Sequence, residues 1–202
     1  AFTDDTYGGD MNGDGVATTP TAGYWRQILI NSASVGSSFT DTFFRYGGSW
    51  TSSLPLKAMV AVDGASVDFN RITVEYAKKH GLYLKNSSSE ITNSTFAWNA
   101  RNGDSGEDAA GVYVDGVFGG TPTISTNTFL ENDYGLQAQA AFELTASGNI
   151  FTDNGVAAIY TTGALGSYSA NTGSGNGINA ILLSSSLAFG SASFSANALP
   201  YY

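Results

Sequence analysis

Residues Gly135 to Asn154, GLQAQAAFELTASGNIFTDN, make up one turn of a repeating unit. The closing tetrad Phe151-Thr152-Asp153-Asn154 returns as Phe96-Ala97-Trp98-Asn99, as Phe129-Leu130-Glu131-Asn132 and as Phe194-Ser195-Ala196-Asn197. A degraded copy reads Gly173-Ser174-Gly175-Asn176. The asparagines lie 33, 22, 22 and 21 residues apart (132−99, 154−132, 176−154, 197−176), so the first gap is one repeat plus an eleven-residue insertion. A fixed period of about 20 to 50 residues marks a solenoid, whose units bury their apolar faces only by stacking.

Within the unit no apolar residues fall at helical spacing. Short apolar segments (Leu136 to Ala138, Phe142 to Leu144, Ile150 to Phe151) are instead cut by Gly, Ser, Asn and Thr, which reads as several short strands per coil. The expected fold is all-β: a parallel β-helix in which a given coil position projects at the same place in every turn. Phe96, Phe129, Phe151 and Phe194 are then expected to form one internal column, each burial contributing roughly 1.5 to 3 kcal/mol. Asn99, Asn132, Asn154, Asn176 and Asn197 are expected to form a second column at a turn, each amide donating to the next and accepting from the last. Asn tolerates the left-handed backbone that a sharp turn needs. A buried amide without partners would cost roughly 1 to 3 kcal/mol, so the ladder must be continuous or meet water at its ends.

Ile91-Thr-Asn-Ser-Thr-Phe96-Ala-Trp-Asn99 and Ile124-Ser-Thr-Asn-Thr-Phe129-Leu-Glu-Asn132 each stand near a Gly-Leu/Val-Tyr-Leu/Val segment, Gly81-Leu82-Tyr83-Leu84 and Gly111-Val112-Tyr113-Val114. From about Trp25 onward the chain resembles secreted right-handed parallel β-helix proteins. The resemblance implies a right-handed solenoid of about 22-residue coils over residues 24–202, preceded by an irregular acidic segment, 1–23. For function it implies a set of options, because this architecture carries polysaccharide lyases and hydrolases, adhesins, tail spikes and structural modules.

Composition narrows those options. The chain of 202 residues is long enough for one well-buried domain, and nothing in it suggests two. Charged residues make up only 12%, while aromatics reach 13%, more than a disordered tail would carry. Cysteine is absent, which removes disulfides and thiolate metal sites without excluding export. A net charge of −9 with eight scattered basic residues argues against nucleic acid as a partner. No apolar run approaches the roughly eighteen residues that span a bilayer. The start at Ala1 without methionine, together with this composition, leads to the expectation of a removed leader and a secreted or cell-surface protein.

Residues 1–23 hold Asp4, Asp5, Asp10 and Asp14, with Asn12 among them. Asp10-Met11-Asn12-Gly13-Asp14-Gly15 matches the first half of a calcium loop: oxygen ligands at alternate positions converge on a hard cation and Gly permits the tight turn. Thr21 occupies the place of the usual bidentate Glu, so the match is to shorter calcium loops, with Asp4 or Asp5 as the replacement ligand. Calcium is the one cofactor expected, fixing this segment over the first coil.

Upstream, Val74 and Ala77 sit 22 residues before Phe96 and Asn99, extending the repeat with its asparagine lost. Phe44-Arg45-Tyr46-Gly47 reads as the equivalent of Val74-Glu75-Tyr76-Ala77, with the extra length in a surface loop around Trp50 and Pro55. The eleven-residue insertion is placed between Asn99 and Gly111. Its Asp104, Glu107 and Asp108 are read as a solvated acidic loop, and Phe118 in a shorter excursion as a core plug or an exposed contact. Gly173 leaves a gap in the phenylalanine column for Tyr168, Leu165 or Leu187 to fill. Beyond Asn197 no charged strand closes the solenoid. Three readings of that end stand: a longer solenoid, a plug of Pro200 with Tyr201 and Tyr202, or stacking on another molecule, which would make the protein a homo-oligomer.

Groups suited to catalysis are sparse. His80 is read as an exposed corner histidine without a nucleophile or orienting acid. Arg45 with Glu75, and Arg71 with Asp68, are read as cross-strand charge pairs, and Glu131 and Asp153 as acids at one coil position, about 4.8 Å apart along the stack. Trp98, Tyr83 and Tyr113 are the candidate carbohydrate contacts. Thr92, Thr126 and Thr145 lack the register of an ice-binding face. The expected function is a non-catalytic extracellular structural or adhesive module that stacks end to end into a filament or layer; the alternative is carbohydrate binding or lyase-like degradation.

Overall fold

Every coil bends at two sharp corners, and the chain between them is extended. In the first coil the strands are β1 (Ile28–Asn31), β2 (Ser38–Thr40) and β3 (Phe43–Arg45); in the second, β4 (Ala58–Asp63), β5 (Asp68–Asn70) and β6 (Thr73–Glu75). The third has β7 (His80–Lys85), β8 (Glu90–Thr92) and β9 (Thr95–Ala97), and the fourth β10 (Ala110–Asp115), β11 (Thr123–Ser125) and β12 (Thr128–Leu130). The fifth has β13 (Tyr134–Gln139), β14 (Thr145–Ser147) and β15 (Ile150–Thr152), and the sixth β16 (Ala157–Ala164), β17 (Ser167–Ser169) and β18 (Thr172–Ser174). Strand β19 (Ile178–Ala188) opens a seventh. This computed structural model describes residues 3–34, 36–49, 56–100, 109–117, 119–139, 143–188 and 198–202. Phe118, Phe194, Asn197, Trp50, Pro55, Asp104, Glu107 and Asp108 lie outside the described residues, as does the side chain of Leu187.

The first strands of all coils form a long sheet in the order β1-β4-β7-β10-β13-β16-β19, and the second and third strands form two six-stranded sheets. Pairings are parallel and in register. Phe44, Val74, Phe96, Phe129, Phe151 and Gly173 stand over one another, as the repeat predicts. The rings of Phe96, Phe129 and Phe151 stack at 5.2 and 4.7 Å, an arrangement that adds about 0.5 to 1.5 kcal/mol per pair beyond the burial itself. A parallel column of Phe69, Ile91, Ile124, Ala146 and Tyr168 fills the second sheet's inner face. Tyr168 therefore does not fill the gap at Gly173. Leu199 does: a Cβ on Gly173 would come within 2.6 Å of its Cδ2.

Room for the phenylalanines comes from Gly81, Gly111 and Gly135, whose missing side chains face inward. A Cβ on Gly135 would lie 2.4 Å from Phe151 Cδ1, and one on Gly111 would lie 3.0 Å from Phe96 Cβ. This inward glycine turns the preceding residue outward.

The asparagine ladder is continuous. Asn132 Oδ1 accepts the backbone N–H (3.1 Å) and the side-chain N–H (3.0 Å) of Asn99, and its Nδ2 donates to Phe96 C=O (2.9 Å) and to Asn154 Oδ1 (3.1 Å). Asn154 repeats this with Asn176. At the upper end Asn99 Oδ1 accepts the Ala77 N–H at 3.0 Å; at the lower end Asn176 donates to Asn179 Oδ1 at 2.7 Å, three residues along, so no water is required. A second ladder that the sequence reading missed runs through Ser94, Asn127, Asn149 and Asn171, with amide contacts of 3.1 and 3.0 Å between the asparagines.

The ladder residues do not adopt the left-handed conformation expected of them. That falls to the residue before each: Trp98, Glu131 and Asp153 at one corner, and Asp41, Arg71, Asn93, Thr126 and Ala170 at the other, all with φ near +50°. Each such non-glycine residue costs of order 1 to 3 kcal/mol. The strain persists because the corner aims the following amide into the ladder. The insertion is also divided. From Leu82 to Val112 the step is 30 residues and from Ile91 to Ile124 it is 33, so eight extra residues precede β10 and three follow it.

Two substitutions test this interior. Gly135→Val is expected to cost at least about 1 to 3 kcal/mol through overpacking against Phe151. Asn132→Ala is expected to cost roughly 2 to 4 kcal/mol by orphaning the Asn99 donors, and more than Asn176→Ala at the ladder's end. Urea denaturation at neutral pH measures both; equal, small losses at Asn132 and Asn176 would show that the ladder contributes little.

Candidate functional site

Three surface regions gather side chains with chemical potential. The first is the outer face of the long sheet. Because Gly81 points inward, His80 points outward and packs against Tyr113, ring centroids 4.7 Å apart, and against Tyr83 at 5.8 Å. It is not an exposed corner residue: it is 8% exposed, and its Nδ1 accepts the Ala110 N–H at 3.0 Å. That bond leaves Nδ1 unprotonated. Tyr83 and Tyr113 stack in adjacent coils at 4.7 Å, as their equal coil positions imply. Tyr83 Oη donates to Asp115 Oδ2 at 3.2 Å, and Tyr113 Oη bonds Gln139. Burial, reinforced by the Asp115 charge, pushes both phenols up, Tyr113 to about 12. Beyond them Tyr134 and Tyr160 stack at 5.3 Å over Ala110 and Ala157.

The second region is the corner between the third sheet and the long sheet. Tyr46, Tyr76 and Trp98, each at or beside a left-handed turn, stack at 4.8 and 5.1 Å, and Glu131 and Asp153 continue the column. Arg45 lies 4.9 Å from the centroids of Tyr7 and Tyr46 and is clasped by Asp4 (2.5 Å) and Glu75. The pairing of Arg45 with Glu75 follows the register of β3 on β6. Arg71 behaves differently from expectation: it bonds Asp41, both contacts 2.7 Å, whereas Asp68 stands between Ser38 and Glu90. The reason is the corner geometry, since Arg71 and Asp41 occupy equal turn positions and Asp68 lies three residues before Arg71 on another strand.

The third region is the acidic N-terminal segment. Carboxylate oxygens of Asp5, Asp10 and Asp14 lie within 4.8 Å of one another. Asp10 shapes the loop by accepting the Asp14 N–H at 3.1 Å and the Gly15 N–H at 2.8 Å. Asn12 is part of this scaffold, donating to Thr18 Oγ1 at 2.9 Å and accepting the Asp14 N–H at 3.4 Å. Asp4 does not join the cluster. It is buried and its charge is committed to Arg45, a stronger partner in a drier place. Burial and the neighbouring charges of Asp10, Asp14 and Asp4 raise the Asp5 carboxyl above its ordinary value. Asp5 Oδ1 and Asp14 Oδ1 are buried with no hydrogen-bond partner among the described residues. An all-oxygen set of this span suits a hard cation, which takes such ligands at about 2.3 to 2.6 Å.

Three parallel sheets wound about a single stacked core, with no helix among the described residues, define a β-solenoid. The family model for the right-handed β-helix region matches residues 58–198, and the chain belongs to that family. Neither the comparison with curated proteins nor that with solved structures returned a match.

The shifted phenols set an alkaline limit. Tyr113 and Tyr168 are pushed up to about 12 from an ordinary value of 10.0, so their contribution is complete below pH 10 and lost as pH rises toward 12. Phenolate absorbance from these residues is therefore expected to appear together with unfolding between about pH 10 and 12; absorbance rising fully near pH 10 with the fold intact would refute it.

Proposed function

We propose that this domain is a non-catalytic structural and adhesive β-helix module of an extracellular surface or layer. The observation that carries the reading is where the reactive groups are spent. His80 is wedged between tyrosines and accepts a backbone N–H, Arg45 is held between Asp4 and Glu75, and Arg71 is held by Asp41. Acid–base chemistry needs such groups aimed at a substrate; here they tie coil to coil and the lead-in segment to the first coil. Incubation with pectin, alginate and other polysaccharides is expected to release no unsaturated or reducing sugar. Turnover of any of them would replace this reading with a lyase or hydrolase.

Two refinements have their own support. Calcium at Asp5, Asp10 and Asp14 would relieve the crowding that raises Asp5 and would satisfy the two orphaned oxygens, clamping the segment whose Asp4 anchors on Arg45. In calorimetry, calcium is expected to bind the parent chain, and Asp5→Asn or Asp14→Asn to weaken it at least about tenfold; no heat with the parent sinks the calcium site. A carbohydrate contact is favoured by the stacked, half-buried Tyr83 and Tyr113 with Asp115 and Gln139 at their hydroxyls, a combination of ring faces and polar edges that suits sugars. A glycan array is expected to report binding that Tyr113→Ala reduces.

A further inference from the structure

The two ends of the long sheet differ in chemistry and match in register. At the first coil, β1 is the outermost strand, paired only to β4. Its Leu29 is 49% exposed, and Phe43 on neighbouring β3 is 52% exposed. Between them opens a cavity of about 370 Å³ walled by Tyr7, Ile28, Phe43 and Phe44 over the Asp4–Arg45 pair. This is the open mouth of the core column.

At the other end the strand Pro200-Tyr201-Tyr202 adds to β19. Tyr201 bridges Ile181 in parallel, Ile181 N–H donates to Pro200 C=O and Leu183 N–H to Tyr202 C=O, each 2.8 Å. The row that starts at Ile28 runs through Val60 and Leu82 to Ile181, and Tyr201 continues it; Tyr202, 75% exposed, continues the row headed by Leu29. A translated second copy would therefore place Ile28 and Leu29 next to Tyr201 and Tyr202 in the same parallel register that joins every other coil.

Charge supports this partner. From Asn154 to Tyr202 the chain has no Asp, Glu, Lys, Arg or His, so all its charges lie in the first 153 residues. Exposed sheet edges are ordinarily guarded against pairing by charged side chains, and this one carries none. An uncharged end also presents no like charge to the acidic segment around Asp5, Asp10 and Asp14 on an incoming copy.

We propose that a second copy of this chain docks head to tail, its β1 edge and aromatic mouth receiving the Tyr201–Tyr202 strand of the first. The proposal rests on the structural reading above and names its partner. Such a contact is heterologous, so it propagates into open fibres and does not close at a dimer.

Sedimentation velocity across a concentration series is expected to show the parent growing beyond a dimer. Leu29→Lys blocks one end and Tyr202→Lys the other, each weakening association at least about tenfold by burying an unpaired charge in the contact. Both side chains are exposed, and circular dichroism checks the fold; Asn31→Lys on the same edge substitutes if Leu29→Lys does not fold. The diagnostic step is mixing: the two blocked chains together are expected to form dimers and nothing larger, since one good mouth and one good tail remain. A parent that stays monomeric overturns the proposal, as does association that survives Leu29→Lys but not Tyr202→Lys, the signature of a tail-to-tail pair. Those failures leave the absence of polysaccharide turnover untouched, and turnover would overturn the structural reading without bearing on the stacking.

Discussion

A buried asparagine amide has two donors and two acceptor positions, and in this molecule all of them are met from the coils above and below. That requirement fixes the vertical spacing. Asn132 reaches Asn99 on one side and Asn154 on the other only if each winding returns to the same azimuth, and the second ladder through Asn127, Asn149 and Asn171 imposes the same condition five residues earlier. Between the ladders sit the phenylalanines, so polar satisfaction and aromatic stacking demand one register. Extra residues leave the stack without shifting it, which is why the insertion before Val112 changes the chain's length and not its alignment.

The corners follow from the same constraint. A turn tight enough to present an amide inward requires a left-handed residue just before it, and Trp98, Glu131 and Asp153 accept that conformation while their side chains project outward. The outer columns, aromatic above and acidic below, are thus by-products of the inner geometry. Their neighbours then become structural too. Arg45 cannot lie bare beside the Tyr46 ring in a half-buried corner, and Asp4 and Glu75 neutralise it. Asp4 brings the lead-in segment with it.

Much of this was legible in the residues. The recurrence of Phe-x-x-Asn specified strands, stack, column and ladder, and equal coil positions predicted that Arg45 meets Glu75 and that Tyr83 meets Tyr113. The second ladder was legible as well, in Asn127-Thr-Phe129, Asn149-Ile-Phe151 and Asn171-Thr-Gly173, two residues ahead of the column; its serine start at Ser94 hid it. Three readings failed for a common reason. His80, Asp4 and the filler at Gly173 depend on contacts between segments whose separation along the chain obeys no period.

What the sequence by itself determined is everything that repeats, because a period in the chain becomes a contact in space wherever coils stack. What only the tertiary structure decided is everything that occurs once. Leu199 comes to lie beneath Phe151, His80 turns outward because Gly81 turns inward, and Asp4 turns to Arg45 while Asp5 stays with Asp10 and Asp14. Each of these is settled by which neighbour is nearest and driest after folding, a quantity that no spacing along the chain encodes.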